Sequence, residues 1–516
     1  MKVLLAGVDY TVLIIYLVAL FSFGFYLGKA GRQDIFLGGR SLRWWQIGFS
    51  MFSANAGPTM LIGMTSLGFS HGVVGANFEW LAWIFLLLLA MFFLPKYLSA
   101  GISTIPQYLL HRFGKGAYNF LVIYSLVSIL VVWLGSALYA GGLVISQVLG
   151  CHLLYAVVLI AMIATSYTAA GGFRAVVRTG IFQSVIIIIS SLVMTVLAFL
   201  RMQRAPAAAH PLPPDFWKLL HSPDDHEYSW MAILAGYPVV AIYYWCADQT
   251  IVQKLLGAKD LREGQYGAMF IAMLKIITPL IFLLPGMICF VLYSDITTAD
   301  NAYITLVKQL MPDGLRGLCI AALIAALIDT VSSGLNSFST VFTLDVVAQF
   351  TRTDERARTR IGRGVTVAAA LLAIGVAAIF MCSGKGLFEI TQGMVSILAP
   401  PLSVVFLAAI FWKKTNRRAV ITTLYGGGCS CLLIGICYLL SFPYKGFWPH
   451  FLVLSVYLFA GLAALLITVT LCTSHSTVED HLPPAAENLA GGASRKVWMG
   501  WAILAVVMVM IYLFLK

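Results

Sequence analysis

A short polar stretch inside an apolar region, residues 325–340 (AALIDTVSSGLNSFST), carries the densest chemistry in the sequence. Asp329, Ser333, Asn336 and Thr340 follow one another at helical spacing, which places them on one face of a helix. Ser and Thr in membrane helices are often packing residues. An aspartate at the centre of such a helix costs roughly 2.5–3.5 kcal/mol to insert, so we treat Asp329 as a functional candidate.

A second stretch, MFSANAGPTMLIG at residues 51–63, places poor helix formers inside another apolar segment. Asn55, Gly57 and Pro58 lie close together and predict an interruption of the helix. Within lipid, an interrupted helix is tolerated only where it faces protein or a water-filled cavity, and such breaks mark ion and solute sites in secondary transporters. A simple proline kink is the alternative.

Three further charged residues fall at membrane depth: Glu79, Asp248 and Lys275. An isolated charge there would be too costly, so each of them needs a partner. A structural ion pair between Glu79 and Lys275 is one explanation. A cavity in which both groups bind a polar solute is the other, and the sequence favours neither.

The elements that must position these groups are membrane-spanning helices. Of the 516 residues, 60% are hydrophobic and 10% are charged, whereas a soluble domain carries about 25% charged residues. The mean hydropathy is +0.91, and apolar runs long enough to cross about 30 Å of hydrocarbon recur along the chain. We therefore predict an all-α polytopic membrane protein. It has about 14 transmembrane helices, at residues 9–28, 46–66, 75–95, 118–148, 153–171, 178–200, 230–253, 264–294, 315–349, 364–383, 387–412, 419–441, 451–471 and 497–515.

The formal net charge is +12, yet the placement of the 33 Lys and Arg residues argues against nucleic-acid binding. Most of them fall in the loops that follow odd-numbered spans, including Lys29, Arg32 and Lys254. By the positive-inside rule those loops are cytoplasmic and both termini lie outside. We expect contact with membrane lipid and no nucleic-acid partner.

The nine Cys and nine His residues show no metal-binding pattern, because neither C-x-x-C nor H-E-x-x-H occurs. The pattern argues against a haem-carrying subunit and a zinc protease. With no nucleophile–base constellation either, we expect neither an enzyme nor an organic cofactor. The polar segment 201–228 is interpreted as a connector or lid, and 473–496 as a flexible cytoplasmic linker.

Several longer motifs resemble those of the sodium/solute symporter family, particularly its sodium/glucose cotransporter branch. In chain order they are YTAAGGFRAV (167–176), WCADQTIVQKLLGAKD (245–260), LPGMI (284–288), GLCIAALIAALIDTVSSGLNSFSTVFTLDV (317–346) and APPLSVVFLAAIFWKKTN (399–416). The resemblance implies two inverted five-helix repeats, spans 2–6 and 7–11, plus peripheral helices, with a site near the bilayer midplane. The expected segments are 1–45 (first helix and cytoplasmic loop), 46–200 (first repeat), 201–228 (extracellular loop), 229–412 (second repeat), 413–472 (two further helices) and 473–516 (linker and last helix).

The resemblance also implies a solute site built from several spans. Its positions in this chain are Asn55, Met60, Glu79, Tyr244, Trp245, Lys275 and Gln392. Glu, Gln and Lys suit the hydroxyl groups of a sugar or polyol, and an aromatic face suits the C–H surface of its ring. Met60 departs from the family, which usually has a polar Gln or His there, so one solute contact is expected to be lost.

A sodium site is implied in the same way. Its ligands would be the backbone carbonyls of Ser53, Ala56 and Ala326 and the side chains of Asp329 and Thr330. Oxygen ligands suit a hard cation. Many family members have two hydroxyl residues at the last two positions and an aspartate, in a T-D-x-x-Q pattern, where this chain has Gly180. We hypothesise that the carboxylate has moved from the sixth span to the ninth.

The expected function is secondary active symport, in which inward sodium movement drives uptake of a sugar-like solute, a monosaccharide or polyol, by alternating access. Proton coupling is an alternative, because a carboxylate at the cation site can also take up a proton. A non-sugar solute (inositol or a carboxylate), a channel, and a sensor that transports nothing are further alternatives. The expected location is the cell membrane, and the short loops suggest a bacterial inner membrane.

Overall fold

The computed structural model describes residues 5–26, 34–204, 212–225, 227–293, 295–351, 354–381, 387–444, 446–473 and 494–515. Most of the predicted linker at 473–496 lies outside these residues, as do Lys29 and Arg32. Within the described part the protein is built from helices, and the β contacts there are two isolated bridges. The predicted all-α architecture is confirmed.

The α-helices are numbered in chain order. Helices α1 to α10 are Gly7–Phe21, Trp44–Asn55, Pro58–His71, Asn77–Trp80, Ala82–Leu88, Leu94–Ser99, Ile105–Phe113, Lys115–Ser128, Ser136–Leu149 and Leu153–Gln203. Helices α11 to α23 are Trp230–Ala241, Gln249–Leu256, Leu261–Phe282, Leu284–Leu292, Ala302–Leu310, Leu315–Val341, Ala348–Phe350, Glu355–Phe380, Leu387–Phe411, Arg417–Thr422, Gly428–Leu439, Phe451–Cys472 and Arg495–Phe514. Short π-helical segments extend several of them, at Ser22–Tyr26, Leu89–Phe93, Ile129–Gly135, Ile242–Ala247, Phe342–Val347 and Thr423–Gly427.

Twelve helical stretches in the described residues are long and apolar enough to span a membrane. One of them, Leu153–Gln203, contains two predicted spans, and another, Pro58–Ser99, contains the third predicted span together with the end of the second. A polytopic membrane protein is therefore confirmed, while the count of fourteen helices is not. The boundaries of the two five-helix repeats stay a prediction.

Helix α10 is divided by a sharp turn inside the motif YTAAGGFRAV. Gly172 adopts φ 58°, ψ −153°, a region that favours glycine. A Cβ atom at this position would also lie 2.7 Å from the carbonyl oxygen of Ile35. The next residue, Phe173, donates its backbone N–H to that same oxygen at 2.9 Å. The motif therefore fastens the turn between two membrane-spanning halves to the segment that precedes α2.

The second predicted span is interrupted, as its sequence indicates. Helix α2 ends at Asn55, Ala56 leaves the helical region (φ −75°, ψ 48°), and Pro58 begins α3. Proline at the first position of a helix lacks only an N–H that would have no helical partner. The predicted interruption is confirmed, and the alternative of a simple kink is wrong.

The seventh predicted span is interrupted as well, which the sequence analysis did not foresee. Helix α11 passes into the π-helical segment Ile242–Ala247 and stops at Asp248, whose backbone is extended (φ −74°, ψ 125°). The Asp248 side chain then caps α12 by accepting the N–H of Thr250 at 2.8 Å. The span predicted at 230–253 therefore ends at Ala247, because Asp248 begins a new helix.

Helix α16 lies at the centre of the bundle and is buried along most of its length. It packs against α1, α2, α9, α10 and α18. Asp9 of α1, itself fully buried, accepts the backbone N–H groups of Gly314 and Gly317 at 2.7 Å each. The first N–H groups of a helix have no helical partner and carry its positive partial charge, so this carboxylate fixes α1 to the start of α16.

Candidate functional site

The residues assigned to the solute by resemblance converge on one cavity. Its lining includes Asn55, Met60, Glu79, Tyr244, Trp245 and Gln392. Phe78, Trp133 and Tyr237 add aromatic surface, and Gly57 and Thr330, at the helix break, also line it. The internal volume is about 130 Å³. That is room for on the order of ten water-sized groups, the size class of a monosaccharide.

Lys275 is the predicted solute residue that does not line this cavity. It is 1% exposed, and its ammonium contacts the Glu79 carboxylate and the side-chain oxygen of Asn55 directly. The ring of Trp245 lies 5.2 Å from the ammonium, a cation–π distance. The ion pair, one of the two explanations for these charges, is present. Lys275 thus positions two cavity-lining groups, Glu79 and Asn55.

Tyr244 links the cavity to the interruption between α11 and α12. Its hydroxyl accepts a hydrogen bond from Asn55 Nδ2 at 2.8 Å, and its ring centroid lies 5.4 Å from that of Trp133. Trp133 Nε1 donates to Asp248 Oδ2 at 2.8 Å. The charge of Asp248 is therefore stabilised by neutral donors, and its position ties the aromatic wall of the cavity to the start of α12.

The break between α2 and α3 releases two backbone oxygens that the resemblance assigned to sodium. In an unbroken helix, the N–H of Gly57 would donate to Ser53 and the N–H of Met60 would donate to Ala56. Here these amides donate to the carbonyl oxygens of Asn55 at 2.8 Å and of Gly57 at 2.9 Å. The carbonyls of Ser53 and Ala56 lose those helical partners beside α16, which leaves them available to a cation.

Helix α16 provides the opposite side of this site. Thr330 lies against the break, because a Cβ atom at Gly57 would be 2.7 Å from its Oγ1, and this hydroxyl donates to the Ala326 carbonyl at 2.9 Å. Asp329 is completely buried, and among the described residues its Oδ2 has no hydrogen-bond partner. A buried carboxylate oxygen without a donor is costly unless a cation approaches it. The donor set fits a hard monovalent ion.

Position 180 on α10 faces the same point. A Cβ atom there would lie 2.7 Å from Ser53 Oγ and 2.9 Å from Asp329 Oδ1, so the Asp329 carboxylate occupies the space that a side chain at Gly180 would enter. With its amide oriented to satisfy both partners, Gln183 donates to Asp329 Oδ1 at 2.9 Å and to the Thr179 carbonyl at 3.3 Å. This geometry supports the hypothesis that the carboxylate has moved between spans.

The hydroxyl groups that follow Asp329 on its helix face bind α12. Ser333 Oγ accepts from Lys254 Nζ at 2.9 Å. Ser337 Oγ donates to Gln253 Oε1 at 2.8 Å, and Gln253 Nε2 donates to Thr340 Oγ1 at 2.9 Å. The polar stretch therefore has two roles: its first turn faces the helix break, and the following turns dock a neighbouring helix.

Lys254 lies elsewhere than its sequence context predicts. Its assignment to a cytoplasmic loop is wrong, because it lies on α12 with 1% of its surface exposed and its ammonium 5.8 Å from the Phe173 ring centroid. The positive-inside rule counts every basic residue near the end of a span, so it treats this buried lysine as if it lay in a cytoplasmic loop. Its apolar neighbours in the segment IVQKLL were the available indication of burial.

Comparison with known proteins connects this geometry to a family. The model of the sodium:solute symporter family matches residues 35–427. The chain belongs to this family. Its relatives include sodium/glucose cotransporter 4 of Mus musculus, 34% identical over 85% of this chain and 69% of the relative. A sodium/glucose cotransporter of Vibrio parahaemolyticus is 31% identical over 81% of this chain and 83% of the relative. The resemblance predicted from the motifs is confirmed.

Solved structures of other transporters have the same fold as this chain. A Na+-coupled sialic acid symporter in a substrate-bound outward-open state superposes with a TM-score of 0.75 at 19% identity, over 91% of this chain and 98% of the other. Mhp1, a nucleobase-cation-symport-1 family transporter, superposes in a closed conformation with a TM-score of 0.55 at 13% identity, over 90% and 97%. This member of the sodium:solute symporter family is thus a multi-pass membrane protein with a transporter fold.

Proposed function

We propose that the protein is a sodium-coupled symporter that takes up a monosaccharide or polyol by alternating access. The observation that best supports it is that solute cavity and cation site share one helix break. Gly57 and Thr330 line the cavity, and Asp329, which precedes Thr330 on α16, lies beside Ser53 near the end of α2. An ion bound there orders the same backbone that the solute contacts. Through such a shared element, each ligand can make contacts that differ between the two conformational states, which coupling requires.

The polar and aromatic groups of the cavity match a polyhydroxy ring. Glu79 and Gln392 offer oxygen and amide groups to solute hydroxyls, and Tyr244 and Trp245 offer aromatic surface to ring C–H groups. Met60 contributes apolar surface only. The names of the relatives, sodium/glucose cotransporters at 34% and 31% identity, support a sugar as the solute.

In the proposed cycle, sodium binds between α2 and α16 and stabilises the outward-open form. The solute then enters the cavity, an outer gate closes, and movement of the segment around Tyr244 opens the inner side. One sodium ion moving down about 100 mV releases about 2.3 kcal/mol. A tenfold sodium gradient adds about 1.4 kcal/mol. Together they sustain a solute gradient of roughly 500-fold.

The proposed location is the cell membrane, specifically a bacterial inner membrane, with both termini outside. This orientation follows from the basic loops and places the Asp9 contact with α16 near the outer face. Helix α16 then runs inward, so Ser333 lies on the cytoplasmic side of Asp329.

Uptake of labelled glucose, galactose and inositol into proteoliposomes tests the proposal, with sodium and proton gradients imposed separately. Accumulation should follow the sodium gradient at fixed pH, and Gln392→Ala should raise the solute half-saturation constant about tenfold through one lost hydrogen bond. Ser430→Ala, an exposed change on α21, is the matched control and should leave the accumulation and the solute half-saturation constant unchanged. Accumulation that follows only the proton gradient, or binding without counterflow, would contradict sodium symport and favour proton coupling or a sensor.

A further inference from the structure

A buried lysine lies one helical turn from the proposed cation ligand. Lys254 Nζ donates to Ser333 Oγ at 2.9 Å, and Ser333 follows Asp329 by four residues on α16, a rise of about 6 Å. Both side chains are excluded from solvent, with Lys254 1% and Asp329 0% exposed. The two opposite charges attract each other across this short gap.

The hydrogen-bonding capacity of the two groups is complementary. An ammonium has three N–H donors, and the bond to Ser333 uses one of them. Asp329 Oδ2 is buried and, among the described residues, has no donor. The Phe173 ring at 5.8 Å provides the ammonium with a second favourable but weak neighbour. A flexible four-carbon side chain can therefore move its charge between Ser333 and Asp329.

Helix α12 also connects this lysine to the solute cavity. The helix starts at Asp248, directly after the π-helical segment that contains Tyr244. Gln253, next to Lys254, fixes α12 to α16 through Ser337 at 2.8 Å. Movement of α12 relative to α16 during gating would break this contact and change the distance between the ammonium and Asp329.

We propose that the Lys254 ammonium is a tethered counter-ion that competes with transported sodium for Asp329. It neutralises the carboxylate when sodium has left and withdraws to Ser333 when sodium is bound. This inference rests on the proposed sodium coupling. A buried carboxylate without a partner is costly, so the lysine stabilises the empty carrier during its return. By thermodynamic linkage, the contact between Lys254 and Asp329 weakens sodium binding by the same factor by which bound sodium weakens that contact.

Two transport modes separate this role from a structural one. Net uptake requires the empty carrier to return, whereas exchange of solute at saturating sodium on both sides does not. In Lys254→Met, net uptake should fall at least about fivefold relative to exchange, and the sodium half-saturation constant should fall by about fivefold. Retained exchange shows that the variant is folded. Lys254→Arg keeps the charge and should preserve both modes.

A second variant tests the competition in the opposite direction. Ser333→Ala removes the alternative partner of the ammonium, so it should raise the sodium half-saturation constant. The inference is overturned if Lys254→Met lowers net uptake and exchange by one common factor, or if its sodium half-saturation constant does not fall. If Lys254→Met cannot be purified in folded form, Ser333→Ala still decides. A sodium half-saturation constant that is unchanged or lower in Ser333→Ala overturns the inference. Should uptake by the unmodified protein not depend on sodium, the proposed function fails first, and this inference fails with it.

Discussion

The position of the anionic cation ligand can be tested by moving it back across the helix interface. Asp329→Ser removes the carboxylate from α16, and Gly180→Asp places one on α10. A Cβ atom at position 180 lies 2.9 Å from Asp329 Oδ1 and 2.7 Å from Ser53 Oγ. A carboxylate carried by that Cβ atom therefore reaches the space that Asp329 now fills. In the double variant this space is free, because serine is shorter than aspartate.

The expected magnitudes follow from the charge and from the space. Loss of a hydrogen-bond or ion partner that is charged costs about 1.5–3 kcal/mol, so Asp329→Ser should raise the sodium half-saturation constant about 10- to 150-fold. Gly180→Asp alone brings two carboxylates together in a fully buried site and should abolish uptake. The double variant should recover sodium-driven uptake, because one carboxylate again faces the freed carbonyls.

The assay is sodium-activated solute uptake in proteoliposomes at constant pH. The matched control is Gly180→Ala with Asp329→Ser, which adds the Cβ atom at position 180 without its charge. Restoration in the aspartate variant and not in the alanine variant would assign the effect to the carboxylate. A double variant no better than Asp329→Ser alone would refute the reasoning that the two positions serve one site.

Three further predictions concern stability. Lys275→Met should lower the melting temperature strongly, because removing one member of a buried ion pair costs about 3–5 kcal/mol, and adding Glu79→Gln should restore part of the loss. Asp9→Asn should lower the melting temperature by removing a charged acceptor at the start of α16, an effect of about 1.5–3 kcal/mol. Burial, together with the nearby His71, lowers the pKa of His450, outside the spans, from 6.5 to about 4. The unfolded chain therefore binds more protons than the folded protein, so the free energy of unfolding should fall as pH drops from 6.5 towards 4. This fall should be smaller in His450→Gln than in the unmodified protein, and thermal unfolding at each pH measures it.

The break in the second span was predictable because its cause is local. Asn, Gly and Pro in ANAGP disfavour a continuous helix whatever surrounds them. The candidate status of Asp329 was predictable for a similar reason, since a lone acid in an apolar helix needs an explanation. The solute residues were predictable through the family resemblance, and six of the seven line the cavity.

Features that depend on which helices pack together could not be predicted. The contact of Asp9 with the start of α16 joins residues about 300 positions apart in the chain. The contact of Lys254 with Ser333 depends on where α12 lies after the second break. That break itself has a weaker local signal, because aspartate at a helix start is recognisable only once the helix boundary is known.

The most direct test of coupling is to drive the cation with the solute. Proteoliposomes with equal sodium on both sides and a high external concentration of the transported sugar are supplied with tracer sodium outside. We predict that, in proteoliposomes with the unmodified protein, the sugar gradient accelerates the entry of tracer sodium and makes the tracer accumulate transiently inside the vesicles. Neither effect should occur with Asp329→Ser. Sodium entry that is indifferent to the sugar gradient, while the sugar itself enters, would contradict it.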